Sequence, residues 1–305
     1  MAEISRLLSM HPTFDLQSHS LHSDGEFPPA EVVRAAAAAG VELLALTDHD
    51  SVGGVEEALE EGPRAGVRVI PAAELSSVDE AYEELHILGY LVDHRDATFA
   101  ATLEDLRGDR ERRVLAMADL LRAEGFALED TELRRRQAAG EVLGRPHLAH
   151  ALLDHPDNAE RIAAEGIGSL KELFPRYLVP GVPTYVARTR PTVAEAIELI
   201  HAAGGVAVWA HPFWDVQEPA TVRAMLERFA SLGVDGVEAF YPSHTADQVG
   251  LLCEIAAELD LLTTGSSDFH GAEHKTFAGF RAFELYGHSP RLGPLDTANG
   301  SPVSA

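Results

Sequence analysis

A single cysteine, Cys253, is the whole thiol complement of this 305-residue chain, so disulfides within it and cysteine-based metal cages are excluded. It lies in the apolar helical run from Gly250 to Ala257, which predicts a small buried hydrophobe. Basic residues are also scarce. Twenty-four Lys and Arg stand against 49 Asp and Glu, a net charge of −25. That balance repels a phosphate backbone and removes the electrostatic footprint of a duplex-DNA binder. A small anionic substrate stays compatible, because bound divalent cations invert the local sign of a site. Long hydrophobic runs are missing too: no stretch reaches about 18 apolar residues. The start, Met-Ala-Glu-Ile-Ser, lacks the basic and apolar segments of a signal peptide. The expectation is a cytoplasmic protein with no membrane association and no obligate protein partner.

What is present is an alternation of short apolar runs and longer amphipathic ones, in a chain of ordinary globular composition: 46% hydrophobic, 24% charged. Strands are expected at Phe14 to Leu16, Glu42 to Leu46, Val67 to Ala72, His86 to Leu91, Val206 to Trp209, Gly236 to Phe240 and Leu261 to Thr264. Helices are expected at Pro29 to Ala39, Gly54 to Ala65, Val193 to Ala203, Ala220 to Leu232 and Ala246 to Leu259. Seven strands with helices between them point to an α/β fold, a parallel barrel. Residues 96–187 are rich in Arg and Glu and carry no convincing strand. They read as a helical insertion that splits the barrel domain into 1–95 and 188–287, and the Gly-, Pro- and Ser-rich stretch 288–305 reads as a mobile tail.

The polar residues that follow the strands are unusual as a set. Asp15-Leu-Gln17-Ser-His19-Ser-Leu-His22-Ser-Asp24 follows the first, Asp48-His49 the second and Glu74 the third; His86 opens the fourth. His211 follows the fifth and Asp268-Phe-His270 the last. A lone His or Asp in such a place is more often a helix cap or a satisfied neighbour than a ligand. Barrel topology, however, brings all of these ends to one face. The joint reading is a site for several metal ions.

These residues, over Phe14 to Tyr90 and Pro191 to Gly271 and with Gly144-Arg-Pro-His-Leu in the insertion, resemble the PHP (polymerase and histidinol phosphatase) family of metal-dependent phosphoesterases. The resemblance is to the stand-alone bacterial branch acting on nucleotides and short oligonucleotides, and it implies a distorted seven-stranded barrel. It also implies two or three divalent ions (Mn, Fe or Zn), one on His19, Glu74 and Asp268, a second on Glu74, His86 and His211, and a third on Asp24, His49 and His270. Asp15 and Asp48 would orient the histidines from behind. Arg145 and His147 would grip substrate phosphate, Arg145 through its bidentate fork. His211, His244 and Asp24 complete the implied catalytic set, with His244 touching phosphate or protonating a leaving oxygen.

Gln17 departs from the pattern. The family places a His there, and an amide oxygen is a poorer ligand for a transition metal. His22 either compensates or is a loop residue. Arg145 could instead pair with helix carboxylates, and capping by Ser243 would also explain the His244 segment. Trp209 reads as core, whereas Trp214 and Phe213 are candidates for a base-binding wall or for structure. The implied reaction is hydrolysis of phosphate esters of nucleotides, such as 3′,5′-bisphosphonucleosides, or of short oligonucleotides, by a metal-activated hydroxide. The alternatives are a histidinol-phosphate phosphatase, a metal-dependent C–N hydrolase and a non-catalytic metal-binding regulatory module.

Overall fold

Seven strands stand in one sheet in the order in which the chain makes them. They are β1 (Phe14–Asp15), β2 (Leu43–Leu46), β3 (Arg68–Asp79), β4 (Tyr82–Tyr90), β5 (Val206–Trp209), β6 (Gly236–Phe240) and β7 (Leu262–Gly265). The computed structural model describes residues 12–79, 82–139 and 143–297. Leu16 N donates to Gly265 O at 3.1 Å and His19 N to Phe269 O at 2.8 Å, so the last strand returns to the first and the sheet nearly closes into a barrel.

The central strands are buried on both faces, as Leu43-Leu-Ala-Leu46 illustrates with four buried residues in succession. Helices between strands follow from local signals. Thr192 and Glu195 form a reciprocal capping box at the start of Val193–Ala202, and Thr245 and Gln248 do the same for Ala246–Glu258. Gly66, at φ 75°, ends Val55–Ala65 in the left-handed conformation that glycine adopts without strain. Val33, Ala36, Leu44, Leu46, Ala58 and Phe269 share one core beneath the helices that follow β1 and β2.

One strand runs against the expectation of an all-parallel barrel: β4 is antiparallel to both β3 and β5. β3 and β4 are also longer than expected. Strands were expected at Val67 to Ala72 and His86 to Leu91, but β3 continues to Asp79 and β4 begins at Tyr82. The link is too short for a crossover helix, and a hairpin reverses the chain. His86 therefore lies within its strand rather than at its start.

The chain divides into two compact units, one made of residues through Leu103 and from Pro191 on, the other of Glu104–Arg190. Among its described residues the second unit is helical throughout, with its own core of Leu121, Leu148, Leu152, Leu173 and Leu178. The stretch expected to be a mobile tail is in part built into the barrel: Arg291 pairs with Thr263, and Leu295, in helix Pro294–Thr297, is fully buried. Residues 298–305 of that expectation lie outside the described residues. Among the described residues no helix is long and apolar enough to cross a membrane. Trp209 is fully buried, as expected of a core residue. Cys253 is half-buried rather than buried, and desolvation pushes its thiol up to about 11, which leaves it inert at neutral pH.

Candidate metal centre

Backbone pairing brings the polar strand ends together. Glu74 on β3 faces Leu88 on β4, and Ser76 faces His86, so Glu74 and His86 are diagonal neighbours on one face of the hairpin. His86 Nδ1 lies 2.8 Å from Glu74 Oε1. The antiparallel strand is what delivers this histidine. After β1 the chain folds back on itself as Gly25 N donates to Ser20 O at 3.0 Å. A Cβ at Gly25 would lie 2.3 Å from the His19 carbonyl oxygen, so only glycine allows the turn that carries Asp24 back over His19.

Asp48 and Asp15, expected to orient the histidines from behind, hold the loops that bear them. Asp48 accepts from Ser20 N and Ser20 Oγ, both at 2.7 Å, and from Ser23 Oγ at 2.6 Å. Ser23 Oγ in turn is 3.3 Å from His19 Nδ1. Asp15 accepts from Ser267 N at 2.9 Å, Ser267 Oγ at 2.6 Å and Arg281 N at 2.8 Å, which fixes the loop ahead of Asp268. Ser23 thus engages Nδ1 of His19 and leaves its Nε2 for other partners.

Those nitrogens converge on carboxylates. His19 Nε2 is 3.2 Å from Glu74 Oε2 and 3.1 Å from Asp268 Oδ1. His49 reaches Glu74 Oε2 at 3.5 Å through Nδ1 and Asp24 Oδ2 at 3.6 Å through Nε2. His270 Nε2 is 3.4 Å from Asp24 Oδ1, and its Nδ1 is fixed on the Asp268 carbonyl oxygen at 2.7 Å. His211 Nε2 is 3.4 Å from both Glu74 Oε1 and His86 Nδ1. Three groups of donors result: His19, Asp24, His49 and His270; His49, Glu74 and His86; and His19, Glu74 and Asp268.

The donor set fits divalent cations. Ligands about 2.0–2.2 Å from one ion stand about 3 Å or slightly more from one another, the spacing found here. The electrostatics agree. Burial alone would lower His19 and His211 and raise Glu74. Yet Asp268 and Glu74 lift His19 well above the usual histidine range, Asp215 and Glu74 do the same for His211, and His49 and His86 hold Glu74 well below the usual carboxylate range. A buried cluster that draws protons so strongly is short of positive charge, which metal ions supply. Two of these residues sit in the left-handed region without being glycine, His211 at φ 29° and Asp268 at φ 54°. Such strain concentrates at functional sites.

Gln17, fully buried, is part of a ring of hydrogen bonds. Its Nε2 donates to Glu74 Oε2 at 2.9 Å, and its Oε1 accepts weakly from Ser266 Oγ at 3.4 Å. Ser266 Oγ donates to Glu238 Oε1 at 2.6 Å, Glu238 Oε2 accepts from His211 N at 2.9 Å, and His211 Nε2 returns to Glu74. In this orientation the amide presents a donor to the site rather than a ligand oxygen. Sequence reasoning missed Glu238, Ser266 and Tyr241, whose hydroxyl donates to Asp268 Oδ2 at 2.8 Å. A carboxylate inside the apolar strand Gly-Val-Glu-Ala-Phe was the available signal, and burial pushes it up to about 8.

The remaining candidates belong to none of these groups. His22 rests against Gly53 and belongs to none of the three groups. His244 is buried, with Nδ1 donating to Ala239 O at 3.0 Å and Nε2 without a hydrogen-bond partner among the described residues. Burial pushes it down to about 4, so it is neutral at neutral pH with its proton committed to a carbonyl. With Nδ1 donating to that carbonyl, Nε2 carries a lone pair rather than a proton. In the second unit, Arg145 begins helix Arg145–Leu153. Its guanidinium donates to Leu178 O at 3.0 Å and lies 5.9 Å and 5.7 Å from the ring centres of Phe174 and Tyr185. His147 Nδ1 accepts from Gly144 N at 3.0 Å.

Comparison with known proteins gives a consistent picture. The PHP domain family matches residues 15–165. A 5'-3' exoribonuclease of Haemophilus influenzae is 34% identical over 261 residues, covering 86% of this chain and 91% of that protein. A 3',5'-nucleoside bisphosphate phosphatase of Chromobacterium violaceum is 34% identical over 257 residues, 84% of this chain and 86% of its own length. Among solved structures, one described as an amidohydrolase from Chromobacterium violaceum, with bound sulfate and no metal, superposes with a TM-score of 0.72 at 31% identity. It covers 85% of this chain and 88% of that one.

Proposed function

Because the chain belongs to the PHP domain family and is a metal-dependent phosphoric ester hydrolase of its stand-alone bacterial branch, we propose that it removes phosphate from nucleotides such as 3′,5′-bisphosphonucleosides, or from the 5′ end of short oligonucleotides. The observation that carries this reading is the surroundings of Glu74. Its Oε1 is met by His86 and His211, its Oε2 by His19 and His49, and the carboxyl is fully buried. A carboxylate approached by imidazoles at both oxygens would hold divalent cations together with them.

The family resemblance divides the donors into His19, Glu74 and Asp268; Glu74, His86 and His211; and Asp24, His49 and His270; the first set stands together as one group, whereas His49 also stands with Glu74 and His86. When bound there, divalent ions lower the pKa of coordinated water and neutralise phosphoryl oxygens. The protein supplies the arrangement. Glu74 holds two donor sets at a fixed separation, Asp48 and Asp15 lock the loops that carry His19 and Asp268, and Glu238 holds His211 through its backbone. Tyr241 keeps the Asp268 carboxylate oriented. The acidic chain repels long polyanions and leaves a short nucleotide as the better substrate.

The test is elemental analysis of the purified protein beside a phosphate-release screen with added Mn. The panel is a 3′,5′-bisphosphonucleoside, a 5′-phosphorylated trinucleotide, histidinol phosphate and a set of amides. Two or three equivalents of metal with release from the nucleotides alone is the expected result. Amide cleavage without phosphate release would transfer the site to C–N hydrolysis. Metal without turnover would make it a regulatory module.

A further inference from the structure

Of the chain's two tryptophans, Trp209 is fully buried and Trp214 is 49% exposed. The exposed one is not a stray surface hydrophobe. His211 leaves β5 in the left-handed conformation and starts the short helix Pro212–Asp215, so Trp214 stands three residues from a histidine of the metal centre. Its backbone is fixed: Trp214 N donates to His211 O at 2.8 Å, and the Gln217 side-chain amide donates to the carbonyl oxygens of Phe213 at 2.7 Å and Trp214 at 3.3 Å. Within this turn Phe213 is buried while the larger indole stays outside, although burial of the indole would contribute more.

The indole ends a continuous aromatic wall that begins at the metal centre. Tyr241 bonds Asp268 through its hydroxyl, its ring centre is 5.2 Å from that of His211, and Trp214 meets it edge-on at 6.2 Å. Phe277 is 5.6 Å from His270 on one side and 5.6 Å from Trp214 on the other. Both supporting rings are buried, so the indole is propped in place with much of its surface open to solvent. The exposed indole is one ring removed from the ligating histidines, through Tyr241 to His211 and through Phe277 to His270. Stacking asks of a ligand only a flat π-face, and gains affinity without the cations that this acidic chain lacks.

We propose that Trp214, backed by Tyr241 and Phe277, is the stacking face for the substrate's nucleobase, so that the enzyme recognises the presence of a base and tolerates its identity. The inference rests on the phosphoesterase reading. Base–aromatic stacking predicts that the ratio of kcat/KM for adenosine 3′,5′-bisphosphate over that for ribose 5-phosphate falls about ten- to a hundred-fold in Trp214→Ala. Trp214→Phe, which keeps a π-face, should recover most of it. Adenine, guanine, cytosine and uracil bisphosphates should differ from one another far less than any of them differs from ribose 5-phosphate. Independently of turnover, AMP should quench the tryptophan emission of the wild-type protein and not that of Trp214→Phe, whose remaining indole is buried.

A ratio unchanged within twofold in Trp214→Ala, or an AMP quench that survives in Trp214→Phe, would overturn the stacking role and leave the phosphoesterase standing. Strong preference for one base would overturn the tolerance. Failure to release phosphate from either ester would overturn the phosphoesterase reading alone, because the quench is read without turnover.

Discussion

An amide where the PHP resemblance calls for an imidazole changes what one position can do. Gln17 gives a proton to Glu74 instead of a lone pair to a metal, so Gln17→His should add a ligand and raise the metal content of extensively dialysed protein. Elemental analysis reads the change directly; an unchanged stoichiometry would place residue 17 outside the reach of any ion. His244 supplies a pH prediction. Its folded pKa of about 4 lies below the 6.5 of the unfolded chain, so the unfolded state binds the extra proton first. Its neutral form costs nothing above pH 6.5, and stability is lost as pH falls from 6.5 to 4, by roughly 3 kcal/mol at the low end. His244→Phe should flatten that limb of a urea-melt series, and an identical acid limb in both proteins would refute the assignment. Arg145→Ala separates two roles: phosphate contact predicts KM for nucleotides raised about ten-fold or more. Loss of the Leu178 carbonyl and of two aromatic faces alone predicts a lower melting temperature with KM unmoved.

At this scale the histidines and carboxylates that converge around Glu74 were readable as a group, because most of them follow a strand and their number exceeded what capping explains; Glu74 and His86 instead lie inside β3 and β4. Glu238 and Ser266 were not. They act through backbone amides and hydroxyls, and nothing in a residue's own type records which buried N–H it will meet.

Among elements, the seam between β7 and β1 depends on Gly265. A Cβ there would lie 2.6 Å from Phe240 Cβ and 2.8 Å from Phe240 O, in a strand whose carbonyl also receives Leu16 N. Gly265→Ala should therefore cost about 1–3 kcal/mol and lower the calorimetric Tm by several degrees. Gly279→Ala is the control, since a Cβ at that position meets nothing within 4 Å. The direction of β4 was the element the sequence concealed. Apolar alternation has the same period in either direction, and Tyr82-Glu-Glu, half-buried and polar, hid the first turn of the strand. Had the true ends of β3 and β4 been visible, the short link alone would have required a hairpin.

For the molecule as a whole, the charge of −25 opposes the approach of an anionic substrate. Raising ionic strength from about 0.01 to 0.15 M shortens the screening length from about 30 to about 8 Å. The expected result is a severalfold rise in kcat/KM for a bisphosphonucleoside; a fall would mean that the bound cations, not the surface, govern the field the substrate meets. The helical character of the middle of the chain was legible from its charge pattern. That residues 288–297 pack on the barrel was not, because Gly, Pro and Ser there mimic a linker while one leucine, Leu295, does the anchoring.

The seam carries a further consequence. His19 and Asp268 touch across it although 249 positions separate them, and few backbone hydrogen bonds hold the two strands on their own. Bringing such distant segments together is a long-range loop closure. A cation held by both residues would work as a latch: the barrel must shut before the site exists, and filling the site would keep the barrel shut. Opening of the first strand, measured as amide exchange at Leu16 and His19, should then slow when Mn is added and quicken under a chelator, so that the supply of metal sets how long the enclosure lasts as well as how fast it works.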